Sequence, residues 1–134
     1  MKRGYCLIAV AASVALGLSS CEGIAEAQRK AEGIKSISIA ELDFSKVADG
    51  IYEAYADYGL DTARVAVRVE GGKVLDIEIK EHRHGPGEKR SGAPVARRVI
   101  EAQSLRVDAV SGATGSSKVM LKAIETALAQ GLRP

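Results

Sequence analysis

Between Val107 and Lys118 the sequence reads VDAVSGATGSSK, setting one carboxylate, Asp108, and four hydroxyls, Ser111, Thr114, Ser116 and Ser117, around Gly112 and Gly115. Three chemistries use such a set. A glycine-rich turn cradles a phosphate with its backbone N–H groups. A hydroxyl beside a base acts as a nucleophile. A hydroxyl also serves as the acceptor of a permanently attached group. The first chemistry lacks its pattern, because Gly112, Gly115 and Lys118 do not have the Gly-x-x-x-x-Gly-Lys-Ser/Thr spacing and no buried parallel strand precedes them. The second lacks a Gly-x-Ser-x-Gly elbow, and the chain offers only His82 and His84 as imidazole bases. The third therefore leads.

An attachment loop needs a frame, and the flanking patterns predict one. Lys118 to Gln130 carries Val119, Met120, Ala123, Ile124, Ala127 and Leu128 at helical spacing, with Gly131 as its stop and Ser116 or Ser117 as its cap. Ala93 to Gln103 is a second expected helix, with Pro94 suited to its first turn. Upstream, Ile51 to Tyr58 is expected to be a strand. Ala63 to Glu70 alternates, with Ala63, Val65, Val67 and Val69 on one face and Arg64, Arg68 and Glu70 on the other. Val74 to Glu81 alternates again, setting Leu75, Ile77 and Ile79 against Asp76, Glu78 and Lys80. Gly71-Gly72 joins these two strands as a tight hairpin. The expected fold is α+β: a small antiparallel sheet with helices packed on one face. Its core must be aliphatic, since the chain has no tryptophan and one phenylalanine.

Asp108-Ala109-Val110-Ser111-Gly112-Ala113-Thr114 follows the pattern Asp-x-x-Ser/Thr-Gly-Ala-Thr, and this resembles the flavinylation motif of the FMN-binding domain family. The resemblance extends to DGIYEAYADYG, the Gly-Gly hairpin, the HRHGPG loop and the helix after the motif, all in the family's order. It implies FMN as cofactor, joined to Thr114 through a phosphoester bond by a separate flavin transferase. Related domains occur in the C and G subunits of sodium-pumping NADH:quinone reductase and of the Rnf complex, and in extracytoplasmic electron-transfer proteins. Asp108 is then a residue read by the transferase, or one that helps place the divalent metal the transferase uses. Ser111, Gly112, Ala113, Gly115, Ser116 and Ser117 complete the expected cofactor-binding set: the hydroxyls as donors to phosphate, the glycines allowing close backbone approach. Tyr52, Tyr55 and Tyr58 are candidates to stack on the isoalloxazine ring. The polar loop His82 to Gly92 is expected to be mobile or to face a ligand. Its two histidines lack a third ligand at a recognised metal spacing, so exposed strand-end positions or contacts to an anion are expected, and no metal.

The start of the chain reads as an address. Lys2 and Arg3 precede an uncharged run from Cys6 to Leu18, and Leu18-Ser19-Ser20-Cys21 resembles the lipobox of bacterial lipoproteins. Residues 1–20 are then a signal peptide. Cys21 would be the lipidated residue of an extracytoplasmic, membrane-anchored protein on the periplasmic face or cell surface. Loss of Cys6 with the signal peptide would leave no disulfide pair. Residues 21–48 are expected to hold the anchor and a spacer, and 49–131 the FMN-binding domain. Lys2 and Arg3 account for the formal net charge of +2, leaving 17 basic against 17 acidic residues. With aromatics at 4%, that balance argues against nucleic acid as a partner. The function expected is a flavin electron carrier whose partner is a soluble redox protein or a membrane electron-transfer complex. Two alternatives remain open: a lipoprotein module that keeps the fold without redox chemistry, and a flavin-dependent reductase of a small substrate.

Overall fold

Val65, Val67 and Val69 have no exposed surface, and they mark the centre of the sheet. The computed structural model describes residues 19–86 and 90–134. Strands β1 (Gly50–Asp57), β2 (Thr62–Glu70) and β3 (Lys73–Arg83) form an antiparallel sheet in the order β1-β2-β3. Val65 pairs with Ala54 on one side and Ile79 on the other, and Val67 with Tyr52 and Ile77. Arg64 and Arg68 lie on the opposite, solvated face, as the alternation of β2 requires. Gly71 and Gly72 turn the β2–β3 hairpin with φ of 59° and 73°, the doubly left-handed geometry that glycine adopts without a Cβ clash.

In β3 the observed face differs from the expected alternation. The ladder shifts register between Arg68 and Val69, so that Arg68 pairs with Asp76 and Val69 with Val74, leaving Leu75 as the extra residue. Val74 is consequently buried and Leu75 is 42% exposed. Such a bulge reverses which side chains face the core beyond it, which simple alternation cannot anticipate.

The apolar face is covered by α2 (Gly92–Ala102) and α3 (Thr114–Ala129), confirming the α+β arrangement. α3 lies on β1 and β2, while α2 contacts β3 and α3. Val119, Met120, Ala123, Ile124, Ala127 and Leu128 are all fully buried, so the helical spacing identified the packed face. At the end of α2, Gln103 has a φ of 50°, and its side chain accepts from the N–H of Val74 and donates to the same residue's carbonyl. This pair of bonds ties the helix terminus to β3.

Two boundaries depart from expectation. α3 begins at Thr114, so Ser116 and Ser117 lie inside its first turn and neither caps it. Glu22 to Ile34, whose composition fits either a frayed helix or a tether, falls within a helix, α1 (Ser19–Lys35), which contacts α3. Ile37, Ile39 and Leu42 then pack at the core's edge, followed by buried Phe44 and Val47. The charged start and the Cys6–Leu18 run lie outside the described residues. Among the described residues no helix is long and apolar enough to cross a membrane.

Candidate functional site

The glycine- and hydroxyl-rich segment from Val107 to Ala113 ends in a turn that feeds directly into α3. The N–H of Ala113 donates to the carbonyl of Val110 at 2.9 Å, with Gly112 between them at a φ of 79°. That left-handed geometry at the third turn position is the reason for glycine there. Ala113 is fully buried, which favours a small side chain, and its carbonyl accepts from the N–H of Ser117 at 2.9 Å and from the Ser117 hydroxyl at 2.6 Å. The same hydroxyl accepts from the N–H of Val110 at 3.0 Å. One side chain thus bridges the beginning of the turn and the residue before the helix.

The motif's hydroxyls consequently point in two directions. Ser111 and Thr114 are exposed, whereas Ser116 and Ser117 are fully buried. The Ser116 hydroxyl lies 2.7 Å from that of Ser91, the residue before α2. Ser116 and Ser117 are therefore placed to hold the loop's shape from within, and the expectation that they donate to a surface phosphate does not match their orientation. Thr114 is the first residue of α3 and presents its side chain outward. The N–H groups of Thr114 and Gly115 precede the first intrahelical bond, that from Ser117 to Ala113, so they are oriented toward the helix's electropositive end.

Thr114, Gly115 and Lys118 form one side of a cavity of about 440 Å³. This volume falls within the usual range for small-molecule sites, about 300–1,000 Å³. Tyr58, Leu60 and Asp61, from the β1–β2 turn, form a second side. Gly85 and Pro86 bring in the His82–Gly92 loop, and the last turn of α1 closes the cavity. Asp61 is only 4% exposed, and its Oδ1 accepts from the N–H of Gly85 at 3.0 Å, so a carboxylate fixes the loop at the cavity rim. Sequence reasoning missed Asp61 and α1, because their roles depend on contacts made across the fold.

The tyrosine candidates separate clearly. Tyr58 lines the cavity. Tyr52 donates from its hydroxyl to the carbonyl of Ala48 at 2.8 Å and packs beside Gly131, so it closes the far end of the core. Tyr55 lies on the solvated sheet face, with the Arg64 guanidinium 4.8 Å above its ring. His82 and His84 are half-buried, which departs from the exposed positions expected, and their rings meet edge to face at 6.0 Å. Space explains the burial of His82: a Cβ added at Gly92 would come 2.8 Å from its Nδ1. Among the described residues no cluster of three potential metal ligands forms.

Asp108 is exposed and lies outside the cavity that Thr114 borders. It lines a separate cleft with Arg98 and Arg106, and Arg98 donates to the Asp108 carbonyl at 2.6 Å. No curated protein matches the chain. The family model for the FMN-binding domain matches residues 59–129, which include the β2–β3 hairpin, the loop that reaches the cavity and the whole attachment turn. The chain belongs to the FMN-binding domain family, and its cofactor is FMN.

Proposed function

We propose that this protein is a membrane-anchored, extracytoplasmic electron carrier whose FMN is joined to Oγ1 of Thr114 by a phosphoester bond. The observation that carries this reading is the position of Thr114: an exposed hydroxyl on the first residue of α3, opening onto a cavity shared with Gly115 and Lys118. FMN supplies the redox chemistry through its isoalloxazine ring. The chain supplies the setting. The N–H groups of Thr114 and Gly115, the helix dipole and the Lys118 ammonium all favour a phosphate at this point. A covalent bond prevents loss of the cofactor by diffusion outside the cytoplasm.

Attachment requires a transferase and an activated flavin nucleotide in which the FMN phosphate is part of a pyrophosphate. The Thr114 Oγ1–P bond forms, the pyrophosphate P–O bond breaks, and the threonine proton is taken up by a base or by the departing phosphate. No oxidant or reductant is consumed. Asp108, exposed beside Arg98 and Arg106, is available for recognition by the transferase. Leu18-Ser19-Ser20-Cys21 supplies the anchor if Cys21 is diacylated after removal of residues 1–20. Electrons then pass to or from a soluble redox protein or a membrane complex.

The test is Thr114→Ala in the full chain, expressed with a flavin transferase. Flavin fluorescence after denaturing electrophoresis should disappear while the far-UV circular dichroism of the variant stays that of the wild type, because Thr114 is exposed. A fluorescent Thr114→Ala band, or FMN mapped to Ser111 by peptide mass, would refute the assignment.

A further inference from the structure

We infer that the last turn of α1 is part of the flavin site, with Ala31 and Ile34 covering one face of the isoalloxazine ring. This rests on the reading that FMN is attached at Thr114. The family match begins at residue 59, so α1 lies outside it, yet Ala31, Ile34 and Lys35 line the same cavity as Thr114.

The cavity's lining is mixed. Thr114, Gly115 and Lys118 supply groups suited to the phosphate. Ala31 and Ile34 from α1 line the same cavity with Leu60, Tyr58 and Pro86, and Lys35, Asp61 and Gly85 complete it. A flavin tethered by its phosphate at Thr114 has these apolar side chains within the same cavity, and burial of ring and apolar walls together removes apolar surface from water. Leu60 is 56% exposed, so apolar surface remains there for a ring to cover.

The sequence of α1 agrees with this role. From Glu22 to Lys35 its large aliphatic residues are Ile24 and Ile34. Ile24 is 61% exposed, whereas Ile34 packs against the core and borders the cavity. Of the two, the one that packs is therefore at the end that meets the site. Lys118 donates to the carbonyl of Lys35 at 3.4 Å, joining the last turn of α1 to the first turns of the attachment helix. α1 makes few other contacts, so a ligand bridging it to α3 must contribute to its docking, and removal of that ligand must loosen it.

Hydrogen exchange on the full-length chain provides the first test, comparing the flavinylated protein with Thr114→Ala. Amides of residues 31–35 should exchange several-fold more slowly when flavin is present. Equal exchange in the two proteins would overturn the inference. Iodide quenching of flavin fluorescence provides the second. Ile34→Glu should leave the flavin attached but raise the quenching constant several-fold, while Glu32→Gln, on the exposed side of the same helix, should leave it at the wild-type value. Unchanged quenching in Ile34→Glu, with attached flavin verified by mass, would overturn the inference while leaving attachment at Thr114 intact. A wild-type chain without covalent flavin would overturn the attachment reading and this inference together.

Discussion

Thr114 and Ser117 are close in sequence, both carry a hydroxyl, and the fold gives them opposite tasks. Ser117 is buried and spends its hydroxyl on the carbonyl of Ala113 and the N–H of Val110, whereas Thr114 is left outside. The exposed Thr114 hydroxyl thus follows a turn whose backbone an inward neighbour holds. Gly112 makes this arrangement possible, because the turn needs its φ of 79°. Gly112→Ala should lower stability by about 1–2 kcal/mol, the usual cost of placing a Cβ in the left-handed region. Urea denaturation measures it. The yield of attached flavin should fall as well, since the hydroxyl would be offered from an altered turn. An alanine variant with wild-type stability would show that the turn readily adopts another geometry.

The relevant elements are the N-termini of α2 and α3, which meet through two buried hydroxyls, Ser91 and Ser116, 2.7 Å apart. Their contact brings the loop that ends at Ser91 against the helix that begins at Thr114. Replacing Ser116 by alanine strands the Ser91 hydroxyl, at a cost of about 1–3 kcal/mol, whereas Ser91→Ala costs less, because the Ser116 hydroxyl also donates to the carbonyl of Ala113 at 3.5 Å. Replacing both removes the two groups together. The double variant should therefore be more stable than the sum of the single effects implies, with a coupling of about 1 kcal/mol in a double-mutant cycle. Thermal or urea denaturation of the four proteins supplies the measurement. Additive single effects would mean that the hydroxyl pair does not link the helices.

For the whole molecule, the proposed lipidation residue and the cavity lie at opposite ends of one chain segment. Cys21 falls near the start of α1, and Ala31, Ile34 and Lys35 line the cavity near its end. A lipid on Cys21 would hold this face of the protein beside the bilayer and favour a redox partner at the membrane surface. Cys21→Ser should abolish acylation and processing before residue 21, because no other cysteine closes the apolar run. The variant should carry no acyl mass on Cys6 or elsewhere, and it should keep residues 1–20. Intact mass after membrane fractionation checks both points, and an acylated variant would refute the lipobox reading.

Most of the frame was legible because it depends on local period. Two-residue alternation marked β2, helical spacing marked the buried face of α3, and paired glycines marked the hairpin between β2 and β3. Membership of the FMN-binding domain family was equally legible, since the residue types and spacing of Asp108 to Thr114 lie within one short stretch. Tertiary structure decided what period alone cannot express. A register shift against β2 turned Leu75 out and Val74 in. Backbone hydrogen bonding started α3 at Thr114, moving Ser116 and Ser117 from cap positions into the core. Packing across the fold set Tyr58 at the cavity and Tyr52 and Tyr55 elsewhere, brought Asp61 to the loop and set the end of α1 against α3. These outcomes depend on residues far apart in sequence competing for the same space, and that competition has no signature until the chain is folded.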